Sequence, residues 1–214
     1  MIVNIDDLRA RFLRALSDAG VRRSGAALFD ELRARYEQAH RRYHTLEHVD
    51  SCLGWLDWYR GSAGHPERVE LALWFHDAIH DRHASDNERQ SAALARTRLT
   101  ELGVPALAVG DIEAHVLATQ SHRGEEPDTL LVLDLDLAIL GATSAGFARF
   151  ERQIREEYAH VPEAAFRRGR SAVLSGFLAR PAIYRTPALC EELETRARVN
   201  LARRLGELAA SKPL

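Results

Sequence analysis

Residues 66–81, PERVELALWFHDAIHD, carry the strongest structural signal in the sequence. Proline is favoured at the first position of a helix. The apolar residues that follow Pro66 predict a helix that continues as far as Ile79. His76 and Asp77 lie toward the end of this apolar helix, and His80 and Asp81 repeat the pair four positions later. The segment therefore predicts a helix whose last residues bind a metal or act as acid–base groups.

Helical periodicity extends from this segment through most of the chain. Apolar residues three and four positions apart predict a first helix from Ile5 to Leu16, stopped near Gly20. A second helix is predicted to follow Ser24 and to include Ala39. Further helices are predicted over residues 45–59, 87–102 and 105–120. Two or three more are predicted over residues 144–210.

The segment 130–140 alternates leucine with other residues, as a strand would. A lone strand among helices would have no pairing partner, so a helix is predicted there. The sequence thus predicts an all-α fold, a helical bundle in one domain over residues 1–214. The core that carries the candidate site is predicted over roughly residues 40–142, and C-terminal helices over 144–210.

The amino-acid composition argues against several classes of function. The formal net charge of −2 over 214 residues argues against strong nucleic-acid binding. Lys212 is the only lysine, which excludes a P-loop lysine and argues against a Schiff-base enzyme. Cys52 and Cys190 are too few for a disulfide framework or a zinc finger. Neither a membrane span nor a signal-like start is apparent, so we expect a soluble cytoplasmic protein.

Histidine is concentrated in one part of the chain. Seven of the ten histidines lie within residues 40–83. Histidine is the commonest metal ligand and the usual acid–base group near neutral pH. His44 and His48 are four positions apart, a spacing that on a helix turns both rings toward one cleft. His76 and Asp77 can converge on one ion that lies between their directions.

Two carboxylates in the leucine-rich segment complete the candidate set. Asp134 and Asp136 are costly to bury there unless they are paired or bound to a metal. On a helix they point about 200° apart, so both cannot bind the same ion. Imidazoles combined with carboxylates suit a divalent transition metal (Mn, Fe, Co, Ni or Zn) better than calcium or magnesium.

These motifs together resemble the HD-domain superfamily of metal-dependent phosphohydrolases, which are all-helical. The order of histidine, histidine–aspartate and aspartate matches the superfamily pattern. The similarity to one bacterial family of predicted HD-superfamily phosphohydrolases covers nearly the whole chain. It is carried by YHTLEHV (43–49), ALWFHDAIHD (72–81), DNERQSA (86–92), LDLDLAILG (133–141) and IREEYAHVPEAAFRRGRSAVLSGFLARPAIY (154–184).

The resemblance implies a metal site and a reaction. His48, His76, Asp77 and one aspartate of the leucine-rich segment would bind the metal. The superfamily's last aspartate usually precedes a leucine or arginine in an apolar helix, and the register favours Asp136. Asp134 would then lie near the ligands or pair with an arginine. The expected function is hydrolysis of a small phosphate ester, with a nucleotide as one candidate, by metal-activated water.

A proton donor is implied by a narrower similarity. The pattern Tyr-His-x-x-x-His, residues 43–48, is similar to the start of the metal site in cyclic-nucleotide phosphodiesterases. There the first histidine protonates the leaving oxygen, which gives His44 that role in catalysis, beside Asp77. This chain is too short to hold a full phosphodiesterase catalytic domain.

Other residues are candidates for supporting roles. His115 and His122 are two helical turns apart and could bind a second metal ion or a phosphate. His80 could reach the cleft, and Glu88 could orient a ligand imidazole or a metal-bound water. Two arginines could bind phosphate in a bidentate manner, namely Arg155 and Arg170.

The sequence leaves two alternatives to a phosphohydrolase open. A di-iron, oxygen-dependent enzyme on the same scaffold would need both His115 and His122 as ligands. A non-catalytic, metal-stabilised module would bind a nucleotide without turnover. The expected partner is a small phosphorylated substrate, with no membrane contact, and the oligomeric state, including a homo-oligomer, stays open.

Overall fold

A computed structural model describes residues 3–210; Lys212 lies outside them. The described residues form ten α-helices and no strand, which confirms the all-α fold class. Among them, no single helix has the length and apolar composition needed to cross a membrane. The helices are α1 Ile5–Asp18, α2 Ala26–Tyr36, α3 Leu46–Tyr59, α4 Pro66–Phe75, α5 Asn87–Leu102, α6 Ala106–Ala118, α7 Pro127–Asp136, α8 Ser144–Glu157, α9 Glu163–Leu178 and α10 Pro187–Ala210.

Backbone contacts divide the chain into two compact units, Met1–Asp136 and Leu137–Leu214. The first unit holds α1 to α7 and the second holds α8 to α10. Short 3₁₀ segments follow α3 and open the second unit, at Arg60–Ser62 and Leu137–Gly141. The single domain over residues 1–214 stays a prediction of the sequence.

Helix α4 is the centre of the first unit. Every residue from Val69 to Phe75 is buried, and α4 contacts α1, α3, α5, α6 and α7. A helix that is apolar on all sides is stable only when neighbours cover every side. On one side the Trp74 ring meets Phe12 and Phe29 edge-on, at centroid distances of 5.2 and 5.9 Å.

The predicted continuation of α4 to Ile79 is wrong, because the helix ends at Phe75. The next residues form a turn in which side chains replace the helical backbone bonds. The Tyr36 hydroxyl donates to the Trp74 carbonyl at 3.0 Å, and the Ile79 N–H donates to Ser91 Oγ at 3.0 Å. His80 and Asp81 therefore do not continue the helical faces of His76 and Asp77.

Two other predicted helix ends are also too long. Helix α2 ends at Tyr36, so Ala39 lies outside it. Helix α6 ends at Ala118, short of residue 120. By contrast α5 has the predicted bounds, because Gly103 adopts a left-handed conformation (φ 82°) that ends a helix at little steric cost.

The leucine-rich segment is helical, as predicted. Pro127–Asp136 forms α7, which packs against α3, α4 and α6. In the second unit, α10 contacts α9 and the 3₁₀ segment Leu137–Gly141. Asn200 fixes that contact, since its amide donates to the carbonyls of Leu140 and Ala142 at 2.9 Å each.

Candidate metal centre

His48 reaches the interior of the first unit from the first turn of α3. Thr45 caps this helix, and its hydroxyl accepts a hydrogen bond from the Glu47 N–H at 3.3 Å. The His48 side chain is buried, with Cys52 Sγ one turn later at 3.7 Å from its Nδ1. Burial, with Asp136 and Asp77 nearby, raises the pKa of Cys52 well above its usual value. Cys52 is not a member of the group of close ligand atoms that contains His48.

His76 is oriented by the end of α4. It is the first residue after the helix, and its Nδ1 lies 2.9 Å from the Leu73 carbonyl oxygen. Because a carbonyl only accepts, Nδ1 carries the proton and donates it. The Nε2 atom is thereby turned toward the interior, where a metal ligand needs it. Histidine ligands in proteins are commonly held by this kind of bond.

Four ligand-type side chains converge in the first unit. His48 Nε2 lies 3.1 Å from His76 Nε2 and 3.1 Å from Asp136 Oδ1. His76 Nε2 lies 3.5 Å from the same Asp136 oxygen. Asp77 Oδ2 lies 3.1 Å from His76 Nε2 and 3.7 Å from His48 Nε2. His48, His76 and Asp136 form a group that could hold a metal ion.

These separations match the edges of a coordination polyhedron. Ligand atoms at about 2.1 Å from one ion lie about 3.0 Å apart at right angles and about 3.4 Å apart in a tetrahedron. Two imidazole nitrogens at 3.1 Å can share a proton, but here both also face carboxylate oxygens. One ion placed between His48, His76 and Asp136 satisfies their contacts together, and Asp77 adjoins this group through His76.

The charges of the group are strongly coupled. Burial opposes a charge on His76, but the carboxylates of Asp77 and Asp136 outweigh it and hold the His76 pKa well above its usual value. Burial likewise opposes ionisation of Asp136, but His76, His122 and His48 hold its pKa well below the usual value. The pKa of Asp77 is lowered against burial by His76, His44 and His48. The carboxylates are therefore ionised, as metal ligands must be.

His122 contacts the group through Asp136, and the sequence did not predict this contact. Its Nε2 lies 2.9 Å from Asp136 Oδ2, the carboxylate oxygen that does not face His48. It is the one non-glycine residue with positive φ (48°) among the described residues. Such backbone strain is often found at functional sites.

His115 lies in different surroundings from His122. The two histidines would share a helix face only if the helix continued to His122, and α6 ends at Ala118. His115 is buried, and its Nδ1 is hydrogen-bonded to Thr129 Oγ1 at 2.9 Å. Burial lowers its pKa below the usual value. Within residues 3–210, no group of three close ligand atoms includes His115, so the structure does not assemble the second metal site from this pair.

His44 lies near the group, but not on α3. The helix begins at Leu46, so the predicted one-turn spacing between His44 and His48 on a helix is wrong. The His44 ring is half-buried, edge-on to His48 at 6.2 Å, and stacked on His80 at 4.3 Å. It also lowers the pKa of Asp77, which places it within electrostatic reach of that carboxylate.

The other predicted residues lie outside the group. Asp134 is buried on α7, and the group of close ligand atoms contains Asp136 instead. Glu88, half-buried in the first turn of α5, forms no hydrogen bond or ion pair with the described residues. Asp81 lies in a turn, where its Oδ1 accepts from the His83 N–H at 2.9 Å. The His80 ring stacks on the His44 ring at 4.3 Å.

The two arginines predicted to bind phosphate belong to the second unit and have local partners. Arg155 donates to the carbonyls of Tyr158 and Val161 at 2.7 and 3.1 Å. Arg170 is paired with the buried Glu151. Both guanidinium groups therefore form structural contacts within the second unit. Phosphate binding by Arg155 and Arg170 stays a prediction.

The sequence did not reveal Arg41, which fixes the segments around the group. Arg41 is buried, and its guanidinium donates to the carbonyls of His44, Asp77 and Ala78 at 2.9, 2.7 and 3.1 Å. It thereby joins the turn before α3 to the turn after α4. Nothing in the sequence distinguishes Arg41 from the other arginines.

Comparisons with known proteins were made for the whole chain. No family model, curated protein or solved structure matches it.

Proposed function

We propose that the chain is a metal-dependent phosphohydrolase that acts on a small phosphate ester. One observation carries the proposal: two imidazole nitrogens and two carboxylates converge at ligand-edge distances within the first unit. The order of these residues along the chain, which resembles the HD-domain pattern, supports the same reaction class. Mixed nitrogen and oxygen ligands favour Mn, Fe, Co, Ni or Zn.

Four residues would hold the ion: His48, His76, Asp77 and Asp136. When bound, a divalent ion supplies Lewis acidity toward a phosphoryl oxygen and lowers the pKa of water. His76 is preset for this role by its bond to the Leu73 carbonyl. Asp136 presents Oδ1 to His48 while Oδ2 contacts His122, so its carboxylate is held in one orientation.

His44 is placed to move a proton. Cleavage of a phosphoester requires a donor for the leaving oxygen. The His44 ring is half-buried, lies edge-on to His48 at 6.2 Å and is within electrostatic reach of the Asp77 carboxylate. Its position before α3, rather than on the helix, leaves it outside the group of His48, His76 and Asp136.

Metal-dependent phosphate release tests the proposal. The purified chain would be assayed on a panel of phosphate monoesters with Mn²⁺, Co²⁺ or Ni²⁺. We expect Asp77→Asn to lower kcat/KM at least about 100-fold, because an amide replaces a ligand carboxylate. His65→Gln is the matched control, because His65 is exposed and lies outside the group, and it should keep full activity.

Two results would replace the proposed function with an alternative. Tight metal binding and nucleotide binding without phosphate release from any ester would favour the non-catalytic module. Two iron ions per chain together with oxygen consumption would favour the di-iron enzyme. The structure gives the latter no ligand group around His115 among the described residues.

A further inference from the structure

A second polar feature of the first unit is a surface cavity of about 360 Å³. Its volume is at the lower end of the range for small-molecule sites. None of the four metal-binding candidates lines it. Its lining is rich in cationic and hydrogen-bonding side chains, namely Arg35, Gln38, His40, His80, Arg82 and His83.

The hydrogen-bond donors of this cavity suit an anion. The Arg35 guanidinium is paired with Glu31 at 2.8 Å, so its charge is partly neutralised. Arg82 adds a second guanidinium, and His80 and His83 add imidazoles that can each donate a hydrogen bond. Asp81 is the one acidic residue of the lining, and its Oδ1 accepts the His83 N–H. Several donors from different segments thus surround one opening.

The cavity and the metal centre share one stretch of chain. Ala78 and Ile79 line the cavity, and they directly follow His76 and Asp77. His80 lines the cavity while its ring stacks on His44 at 4.3 Å, and His44 is edge-on to His48. The stacked rings of His80 and His44 therefore connect the cavity with the metal centre.

His40 and Arg41 hold this stretch in position. His40 Nε2 donates to the His80 carbonyl at 2.8 Å, which leaves the Nδ1 edge of its ring free of that bond. Arg41 fixes the carbonyls of Asp77 and Ala78. The cavity is therefore attached to the same rigid turn as the metal ligands, as a substrate subsite has to be.

We propose that this cavity binds a second phosphate group of the molecule whose phosphoester is cleaved at the metal centre. The inference rests on the proposed function and narrows its substrate class to small molecules with two phosphate groups. A dianionic phosphate offers enough acceptor oxygens for the guanidinium and imidazole donors of the lining. The limited volume accommodates one phosphate and its attachment rather than a polymer.

Phosphate binding in the absence of metal tests the cavity by itself. Inorganic phosphate would be titrated by calorimetry into the full chain after treatment with a chelator. We expect Arg82→Gln to weaken binding at least about 10-fold, through loss of a charge-assisted bond. His83→Gln, at an exposed position, should weaken it about 3-fold.

Arg22→Gln is the control, because Arg22 is exposed, does not line the cavity and gives the same change in charge. It should leave phosphate binding within about 2-fold of wild type. Equal binding by wild type and all three variants, or no binding by wild type, would overturn the proposal.

Turnover links the cavity to the substrate. With Mn²⁺, an alkanediol bisphosphate and the matching monophosphate would be compared in wild type and Arg82→Gln. We expect the variant to raise KM about 10-fold for the bisphosphate only. Loss of phosphate binding with unchanged KM for both esters would overturn the assignment to the substrate. Release of phosphate from no ester, with Arg82-dependent phosphate binding intact, would overturn the proposed function and with it that assignment.

Discussion

Replacement of Arg41 by methionine tests how the two segments of the metal centre are joined. In the native chain the buried guanidinium donates to carbonyls of the turn before α3 and of the turn after α4. Methionine keeps most of the apolar stem but donates no hydrogen bond. Three buried carbonyl oxygens then lose a charged donor at once.

The size of the effect follows from these three bonds. A hydrogen bond to a charged group contributes about 1.5–3 kcal/mol, which sets an upper bound of roughly 5–9 kcal/mol for the set. Removal of a buried charge also removes its desolvation cost, so we expect a loss of about 3 kcal/mol in the free energy of unfolding. Metal affinity should fall about 10-fold or more, because the ligand turns are no longer tied together.

Urea unfolding in the presence of a chelator measures the stability effect alone. With an m-value of roughly 2–3 kcal/mol/M, the midpoint should fall by about 1–1.5 M. Arg42→Gln is the neighbouring control, because Arg42 is exposed, and its midpoint should stay within about 0.2 M of wild type. A midpoint for Arg41→Met as high as that of the control would refute the reasoning.

Three further predictions concern single residues. Asp136→Asn should weaken metal binding at least about 100-fold while Asp134→Asn leaves the metal Kd within about 3-fold, measured by competition with a fluorescent chelator; equal losses would contradict the choice of Asp136. His122→Asn should weaken metal binding about 10-fold without changing the number of ions bound, measured by elemental analysis, because it orients Asp136 and is not itself a ligand; a loss of one ion of two would make it a ligand. Burial lowers the pKa of His115, so the ring stays neutral in the folded chain at a pH where the unfolded chain protonates it. The contribution of His115 to the free energy of unfolding is therefore complete above about pH 6.5 and falls as the pH decreases. His115→Gln should therefore lose less stability than wild type between neutral pH and about pH 5 in urea titrations, and parallel losses would contradict this.

Local patterns were sufficient to predict most of the fold. The bounds of α5 follow from its periodicity and from Gly103, whose backbone ends the helix. Helix α7 follows from the absence of any strand partner for an alternating segment. The end of α4 did not follow, because Tyr36 and Ser91 come from distant segments and their side chains replace the helical bonds after Phe75.

The residue types of the candidate site could be predicted from the sequence, but the contacts between the side chains could not. The residue types could be selected because buried imidazoles and carboxylates need partners, whereas the choice of His48, His76 and Asp136 came from the resemblance to the HD-domain pattern. The structure brings these three side chains together. The contact of His122 with Asp136 depends on a strained backbone after α6, which helical spacing does not describe. Arg41 was missed because its role depends on three carbonyls that only the folded chain places side by side.

Anomalous diffraction tests the central claim most directly. Crystals of the chain grown with Co²⁺ would be measured on both sides of the cobalt absorption edge. We expect a peak in the anomalous difference map about 2.1 Å from His48 Nε2, His76 Nε2 and Asp136 Oδ1. A map with no peak between these side chains, or with cobalt only at exposed histidines, would contradict it.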